Sequence, residues 1–364
     1  MSNKNTNLHK AKNTKNDEYY TRIADIEREL KHYRNHFKDA VVFCNCDDPT
    51  YSNFWKYFHL NFEYLGLKKL ITTHYHRSEP TYMMVYEGGC DNDISVGTVT
   101  PLKQNGDFRS PESIALLQEA TIVVTNPPFS LFREYFAQLI EYNKKFIILS
   151  NPNALHYKEI FPYVMDNKVW LGYKSMSSDM LFDVSEEFAK ELVATKKQGS
   201  GYKIIDGVVK GRAQAIWLTN LDISKRHEFL DLIEKYSPDA YPHYDNYDAI
   251  EVGKVVNIPC DYFGAMGVPD SFLDYYSPDQ FEILGCTQRG CHDRFPDTKK
   301  YNDYREMRQT GEKTGSSGVK TNENANLAKN DGKHNYYIND DGHIVQSTFS
   351  RVFIKRKDVT GNEN

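Results

Sequence analysis

A Rossmann-like α/β fold, with a mostly parallel sheet and a smaller loop-rich C-terminal region, is predicted for this chain by three observations. Short β-prone apolar runs (Ala40–Cys46, Lys68–His74, Ile122–Thr125 and Phe146–Asn151) alternate with helical stretches, the rhythm of a doubly wound sheet. Two of these runs end in polar loops, Asp47–Ser52 and Asn126–Phe129, at the strand ends where such sheets bind ligands. From about residue 286 Gly, Asn, Lys and Arg dominate, which marks a change of module. The expected organisation is a basic N-terminal arm (1–16), a main α/β domain (17–285) and a C-terminal region (286–364).

Composition narrows the function classes. Hydrophobic residues make up 40% and charged residues 26%, a balance that supports a folded core. No apolar run approaches the ~18 residues needed to cross a bilayer. The N-terminus lacks the apolar stretch of a signal peptide, so a cytoplasmic protein with no membrane partner is expected. A formal net charge of −5 excludes a protein that coats nucleic acid through bulk charge, so any such binding must use local basic patches. Of the six cysteines, Cys44 and Cys46 alternate along a predicted strand. Cys286 and Cys291, with His292 adjacent, have a spacing compatible with metal, but free thiols are the reading adopted and no metal is expected.

In chain order, residues 1–16 carry Lys4, Lys10, Lys12 and Lys15 without an acid, as either a phosphate-seeking arm or a solvated terminus. Asp17-Glu-Tyr-Tyr-Thr21 precedes Ile23, Ile26, Leu30 and Tyr33 at helical spacing. Ala40–Cys46 reads as a strand, and Ser52 or Asn53 caps the helix after it. The intervening loop sits where a nucleotide crevice forms, yet lacks the glycines that let backbone approach a ligand. The next strand, Lys68–His74, lacks the usual ribose-binding acid at its end and offers only His74, read as a surface or packing residue. Tyr82–Tyr86 and Ile94–Val99 alternate like a hairpin inserted into the strand–helix rhythm. Gly106-Asp-Phe-Arg109 leads to a helix over 111–119.

The stretch Thr121-Ile-Val-Val-Thr-Asn-Pro-Pro-Phe-Ser130 carries the chemistry. Its two prolines donate no backbone hydrogen bonds and fix φ near −65°, so the chain leaves the sheet as a rigid corner. A planar amine offers two N–H donors, which the Asn126 side-chain oxygen and the Pro127 carbonyl can accept. Phe129 presents a flat face on which a base can stack. Beyond it lie a strand (Phe146–Asn151), a helix from about 156 to 165, and strands at Val169–Tyr173 and Ala213–Thr219. Between these two strands Lys196, Lys197, Lys203, Lys210 and Arg212 face one acid, Asp206, in a loop able to meet a phosphate backbone. The tail ends in a basic strand-like stretch, Phe349–Lys357, with Arg351 and Lys355 as nucleic-acid candidates.

Asn126-Pro-Pro-Phe129 at a strand end resembles the catalytic motif of S-adenosylmethionine-dependent amino-methyltransferases. With Asp17–Thr21, Cys44–Pro49, Gly106–Ser110, Trp217–Asp222, Tyr244–Ile250, Asp261-Tyr262 and Met266–Pro269, the chain over residues 8–285 resembles the EcoRI-type adenine-specific DNA methyltransferase family, in which the glycine-free cofactor loop is a family trait. The resemblance implies a class I methyltransferase fold and a gamma-like order of motifs. It also implies a target-recognition role for 286–364, double-stranded DNA as substrate, a restriction endonuclease as genetic partner, and a monomer. By the same resemblance Tyr20, Thr21, Cys44, Asn45, Asp47 and Asp48 contact S-adenosylmethionine, Asp107 accepts from its adenine amine, and Phe108 packs on its ring. Asn126, Pro127, Pro128 and Phe129 form the catalytic corner, which orients a flipped adenine for direct transfer with no covalent intermediate. Rival readings are a transferase for RNA adenine or a protein glutamine amide, and a silent DNA-binding relative.

Overall fold

The computed structural model describes residues 19–75, 80–89, 92–287, 299–301, 305–317 and 324–358. The chain forms two compact units, residues 1–154 with 169–223, and residues 155–168 with 224–364. Lys10, Lys12, Lys15, Cys291 and His292 lie outside the described residues.

The first unit is built on an eight-stranded sheet. In chain order its strands are β2 (Val41–Cys44), β3 (Lys69–Thr73), β4 (Tyr82–Tyr86), β5 (Thr98–Pro101), β6 (Ile122–Thr125), β7 (Lys145–Ser150), β8 (Trp170–Leu171) and β12 (Ile216–Thr219). They are arranged β5-β4-β3-β2-β6-β7-β12-β8. The centre matches the expected topology, because β3, β2, β6 and β7 run parallel. The outer strands differ: β4, β5, β12 and β8 all pair antiparallel. The fold is therefore mixed α/β with a parallel middle. β2 and β6 are buried throughout, as strands covered on both faces require.

Helices α1 (Ile23–Leu30), α2 (Asn53–Leu60), α3 (Pro111–Glu119) and α4 (Phe132–Glu141) accompany the sheet. Their starts follow local chemistry. The Ser52 hydroxyl accepts from the amides of Phe54 (3.1 Å) and Trp55 (3.2 Å). Ser110 does the same for Ser113, with Pro111 in the first turn. Each such cap stabilises its helix by about 1 kcal/mol. On α2, Phe54, Trp55 and Phe58 join the core cluster, each worth roughly 1.5–3 kcal/mol on burial. Glu29 on α1 is buried, and its carboxylate accepts from the amides of Tyr173 (2.7 Å) and Lys174 (2.9 Å) and from the Tyr33 hydroxyl (3.0 Å).

Several local expectations shift. The second hairpin strand is Thr98–Pro101 rather than Ile94–Val99. Ile94 instead gives its carbonyl to the Trp55 indole (2.8 Å), and Asp93 closes a turn on Ser95. The basic segment 196–212 is no open loop. β10 (Tyr202–Ile205) and β11 (Val208–Gln214) form a hairpin across Asp206-Gly207, both at positive φ, the pairing that a two-residue primed turn demands. With β1 (Tyr20–Thr21) and β9 (Asp179–Asp183) they make a separate four-stranded sheet. The run Ala213–Thr219 thus divides between two sheets at buried Ala215. The helix expected over 156–165 is a 3-10 turn (Pro152–His156) and a short helix (Phe161–Met165) with Pro162 in its first turn.

The second unit contains two sheets. One has the order β13-β14-β21-β15, from Ile250–Glu251, Met266–Pro269, Arg351–Arg356 and Phe281–Cys286. The other has the order β17-β16-β19-β20-β18, from Lys313–Ser317, Arg305–Met307, Tyr336–Ile338, Ile344–Ser347 and Asn326–Leu327. The boundary expected at residue 285 falls inside the first sheet, because β21 returns to pair antiparallel with both β14 and β15. The described part of 286–364 is accordingly a set of short strands joined by the loops expected there. Among the described residues, no helix is long and apolar enough to cross a membrane.

Candidate active site

Because the central strands run parallel, the loops after β2, β3 and β6 leave the same edge of the sheet. Thr125, the last residue of β6, stitches two of them. Its hydroxyl donates to Asp47 Oδ2 (2.7 Å), and the same oxygen lies beside the Asn45 carbonyl. Thr73, at the end of β3, donates to Asn45 Oδ1 at 3.2 Å. Next comes the corner. Asn126 Nδ2 donates to the Tyr19 carbonyl at 2.7 Å, whereas Asn126 Oδ1 is buried without a hydrogen-bond partner. Pro127 is buried, and Pro128 and Phe129 are half-buried, with Phe129 opening the 3-10 turn that leads into α4. A buried acceptor with no donor costs roughly 1–3 kcal/mol.

Two further polar groups beside this edge share that property or its electrostatic equivalent. The Thr21 hydroxyl is buried without a partner, and the Asn45 amide lies beside the buried Tyr135 hydroxyl. The Asp47 carboxyl has its pKa raised to about 7, chiefly by burial, although Thr125 and Ser52 donate to it. An acid so poised favours a cation beside it. Asp48 is held by the amide (2.9 Å) and hydroxyl (2.7 Å) of Thr50 and by the Tyr82 hydroxyl (3.0 Å), with His74 Nε2 at 3.5 Å. His74 thus packs on the Tyr82 ring (5.2 Å), as the packing expectation had it, and also reaches a carboxylate. Since His74 follows β3 directly, the pairing brings a carboxylate from the first loop to the end of the second strand, the place that lacked an acid in the sequence.

The Gly106–Arg109 loop is pressed onto the same strand end. Gly106 has φ +72°, and a Cβ there would stand 2.1 Å from the His74 carbonyl oxygen, so only glycine fits. Asp107 is locked by Arg109 Nη2 at 2.7 Å, which holds its carboxyl below the usual range, and Arg109 also reaches Glu134 on α4 (2.9 Å). A shallow pocket of about 400 Å³ is lined by Gln104, Asn105, Asp107, Arg109, Ser110 and Pro111.

The structure brings Thr21, Asn45, Asp47, Asp48 and Asn126 to one strand edge, with Tyr20 beside the loop, its ring 6.4 Å from that of Tyr51. Two of the expected cofactor residues expose little side-chain surface at this edge. Cys44 is fully buried in the core cluster, so its thiol faces neighbouring apolar side chains. Phe108 is 2% exposed and packs edge-on against Tyr135 (5.1 Å) instead of offering an open face. The basic residues also divide. Lys210 pairs with Asp183 (2.5 Å) and Arg212 with Asp179, while Lys203 and Lys355 are exposed. Arg351 is 7% exposed and doubly bonded to Glu251 (2.6 and 3.0 Å), so it is a structural cation rather than a phosphate contact. Sequence reasoning missed Thr125, Tyr82 and the pairing role of His74. For His74 the position at a strand end was the available signal.

A proline-stiffened corner with a bare oxygen acceptor at the end of a parallel strand agrees with the resemblance to amino-methyltransferases drawn from the sequence. The chain belongs to a particular family of that class: the family described as Adenine-specific methyltransferase EcoRI matches residues 7–357. Among curated proteins the chain is 47% identical over 294 residues to Type II methyltransferase M.EcoRI of Escherichia coli, covering 76% of this chain and 88% of that protein. It is 38% identical over 285 residues to Type II methyltransferase M.MpnI of Mycoplasma pneumoniae, covering 77% of this chain and 85% of the relative. No solved structure gives a significant match.

Proposed function

We propose that this protein methylates the N6 amine of an adenine flipped out of double-stranded DNA at a specific site, with S-adenosylmethionine as methyl donor, in a restriction-modification or phage-protection role. The observation that carries the reading is the buried, partnerless Asn126 Oδ1 beside Pro127. With its amide nitrogen engaged by Tyr19, the side chain can present only its oxygen. That oxygen and the Pro127 carbonyl accept the two amine hydrogens, and Phe129 stacks on the base. As positive charge grows on the amine nitrogen, both acceptors stabilise it more than they do the ground state.

The residues present fit the donor. The Thr21 hydroxyl supplies an unmet hydrogen-bonding group, and Asp47 a buried carboxyl suited to a cation. Asp48 at the end of β3 suits a ribose diol, and Asp107 an adenine amine. When bound, S-adenosylmethionine supplies an electrophilic methyl group. The four parallel strands with these loops read as the Rossmann-like core of class I methyltransferases. The second unit, including 286–364, reads as the target-recognition part, and Lys203 and Lys355 as phosphate contacts. The protein acts as a monomer in the cytoplasm, where its DNA is, with a restriction endonuclease as genetic partner.

Sequencing DNA from cells that express the protein, read for N6-methyladenine, tests this. A single methylated motif absent from control cells is expected. Unmethylated DNA, with label from tritiated cofactor appearing in RNA or protein instead, would establish the rival transferase.

A further inference from the structure

Phe349, in the turn between β20 and β21, is 88% exposed, the most exposed large apolar side chain among the described residues. Exposed apolar residues on loops are ordinary. What sets this one apart is its mounting. The Phe349 carbonyl accepts from Arg351 Nη1 (3.3 Å) and from the Thr348 hydroxyl (3.0 Å), and the Ser350 carbonyl accepts from the same Arg351 nitrogen (3.0 Å). The Thr348 amide donates to the Ala325 carbonyl (2.8 Å), and the Ser350 hydroxyl to Asp270 (3.2 Å). Arg351 is itself buried and clamped by Glu251, and its main chain exchanges hydrogen bonds with Thr287 (2.9 Å each). A buried ion pair thus grips the backbone on which a bare phenyl ring stands in water. Side chains meant for solvent do not need such rigid support, whereas a ring that must meet a ligand without ordering cost does.

We infer that Phe349 enters the substrate duplex and contacts base pairs, as a positioning and specificity residue for the reaction proposed above, on which the choice of DNA as partner rests. A phenyl ring has two chemistries available in a duplex: stacking into an opened base step, or packing on a thymine methyl group. The turn leads into β21, which carries Lys355, exposed and read above as a phosphate contact.

The test compares Phe349→Ala and Phe349→Trp with the wild type, using a short duplex that carries the motif mapped by sequencing. Phe349→Ala is expected to methylate at least tenfold more slowly in single turnover, with unchanged S-adenosylmethionine affinity and melting temperature. The new tryptophan of Phe349→Trp is expected to be quenched when the duplex binds. If the ring fills an opened step, a mismatch opposite the target adenine restores the Ala variant. If it packs on a methyl group, replacing thymine by uracil slows the wild type and leaves the Ala variant unaffected. Methylation by Phe349→Ala within twofold of wild type, together with tryptophan emission indifferent to saturating duplex, overturns the inference. Should the wild type fail to methylate DNA at all, the proposed function falls, and the tryptophan signal with plasmid DNA still decides whether this ring meets a duplex.

Discussion

Asp47→Asn probes the electrostatics of the cleft most directly. Asp47 keeps some exposed surface, but protein encloses its carboxyl, and burial raises its pKa from the ordinary 3.8 to about 7. At about 1.36 kcal/mol per pH unit, ionising it in the folded protein costs on the order of 4 kcal/mol, an upper figure that residual solvent screening trims. The sign follows from proton binding. Between pH 4 and 7 the folded state holds a proton that the unfolded state has released, so stability falls as pH rises through this window and is level outside it. Asparagine removes the titration while its Oδ1 still accepts from Thr125. Urea denaturation at half-unit steps from pH 4 to 8 should show the wild type losing ground to Asp47→Asn across the window, with the variant the more stable at pH 8. Parallel curves for the two proteins would refute the reasoning. A cation of the methyl donor beside Asp47 lowers its pKa, so calorimetry should also find wild-type cofactor affinity rising from pH 5.5 to 7, and that slope missing in the variant.

Asn126→Ala should lower methyl transfer by about 10² to 10³ or more, the scale set by loss of one oriented charge-stabilising group. Duplex binding in a gel-shift assay should persist, and near-normal turnover would displace Asn126 from its catalytic role. In Gly106→Ala the added Cβ meets the His74 carbonyl at 2.1 Å, so the loop must move. Cofactor affinity should fall at least tenfold, with a smaller loss of stability seen by thermal melting. Arg351→Met strands the Glu251 carboxylate in a buried place at a cost of about 3–5 kcal/mol, readable as a lowered denaturation midpoint, and replacing both partners by apolar residues should recover much of it.

Features written in adjacent residues were readable from the sequence. The Ser52 cap, the start of α3 at Pro111, the four buried central strands and the proline corner each depend on chemistry within a few positions. Asp206-Gly207 was equally local, but the run of lysines drew the segment toward an open loop, when a primed turn was spelled out in it. Facts that depend on distant residues were not readable. Arg351 looks like a phosphate contact until Glu251, a hundred positions upstream, neutralises it. Lys210 and Arg212 likewise find Asp183 and Asp179 across a sheet. The missing acid after β3 is the clearest case, since Asp48 arrives from a different loop through His74 and Tyr82, and no inspection of the second strand alone reveals it.

With a flipped base in the corner as proposed, the grip of the Tyr19 carbonyl on Asn126 would also decide which bases are tolerated. An amide has two ends of similar shape and opposite polarity, and a neighbouring carbonyl can hold only the nitrogen end. The oxygen left facing the cleft attracts exocyclic amines and repels keto oxygens, so a guanine or thymine turned into the same space meets lone pair against lone pair. Discrimination against those two bases is thereby set by a main-chain atom more than a hundred residues away from the side chain it polarises.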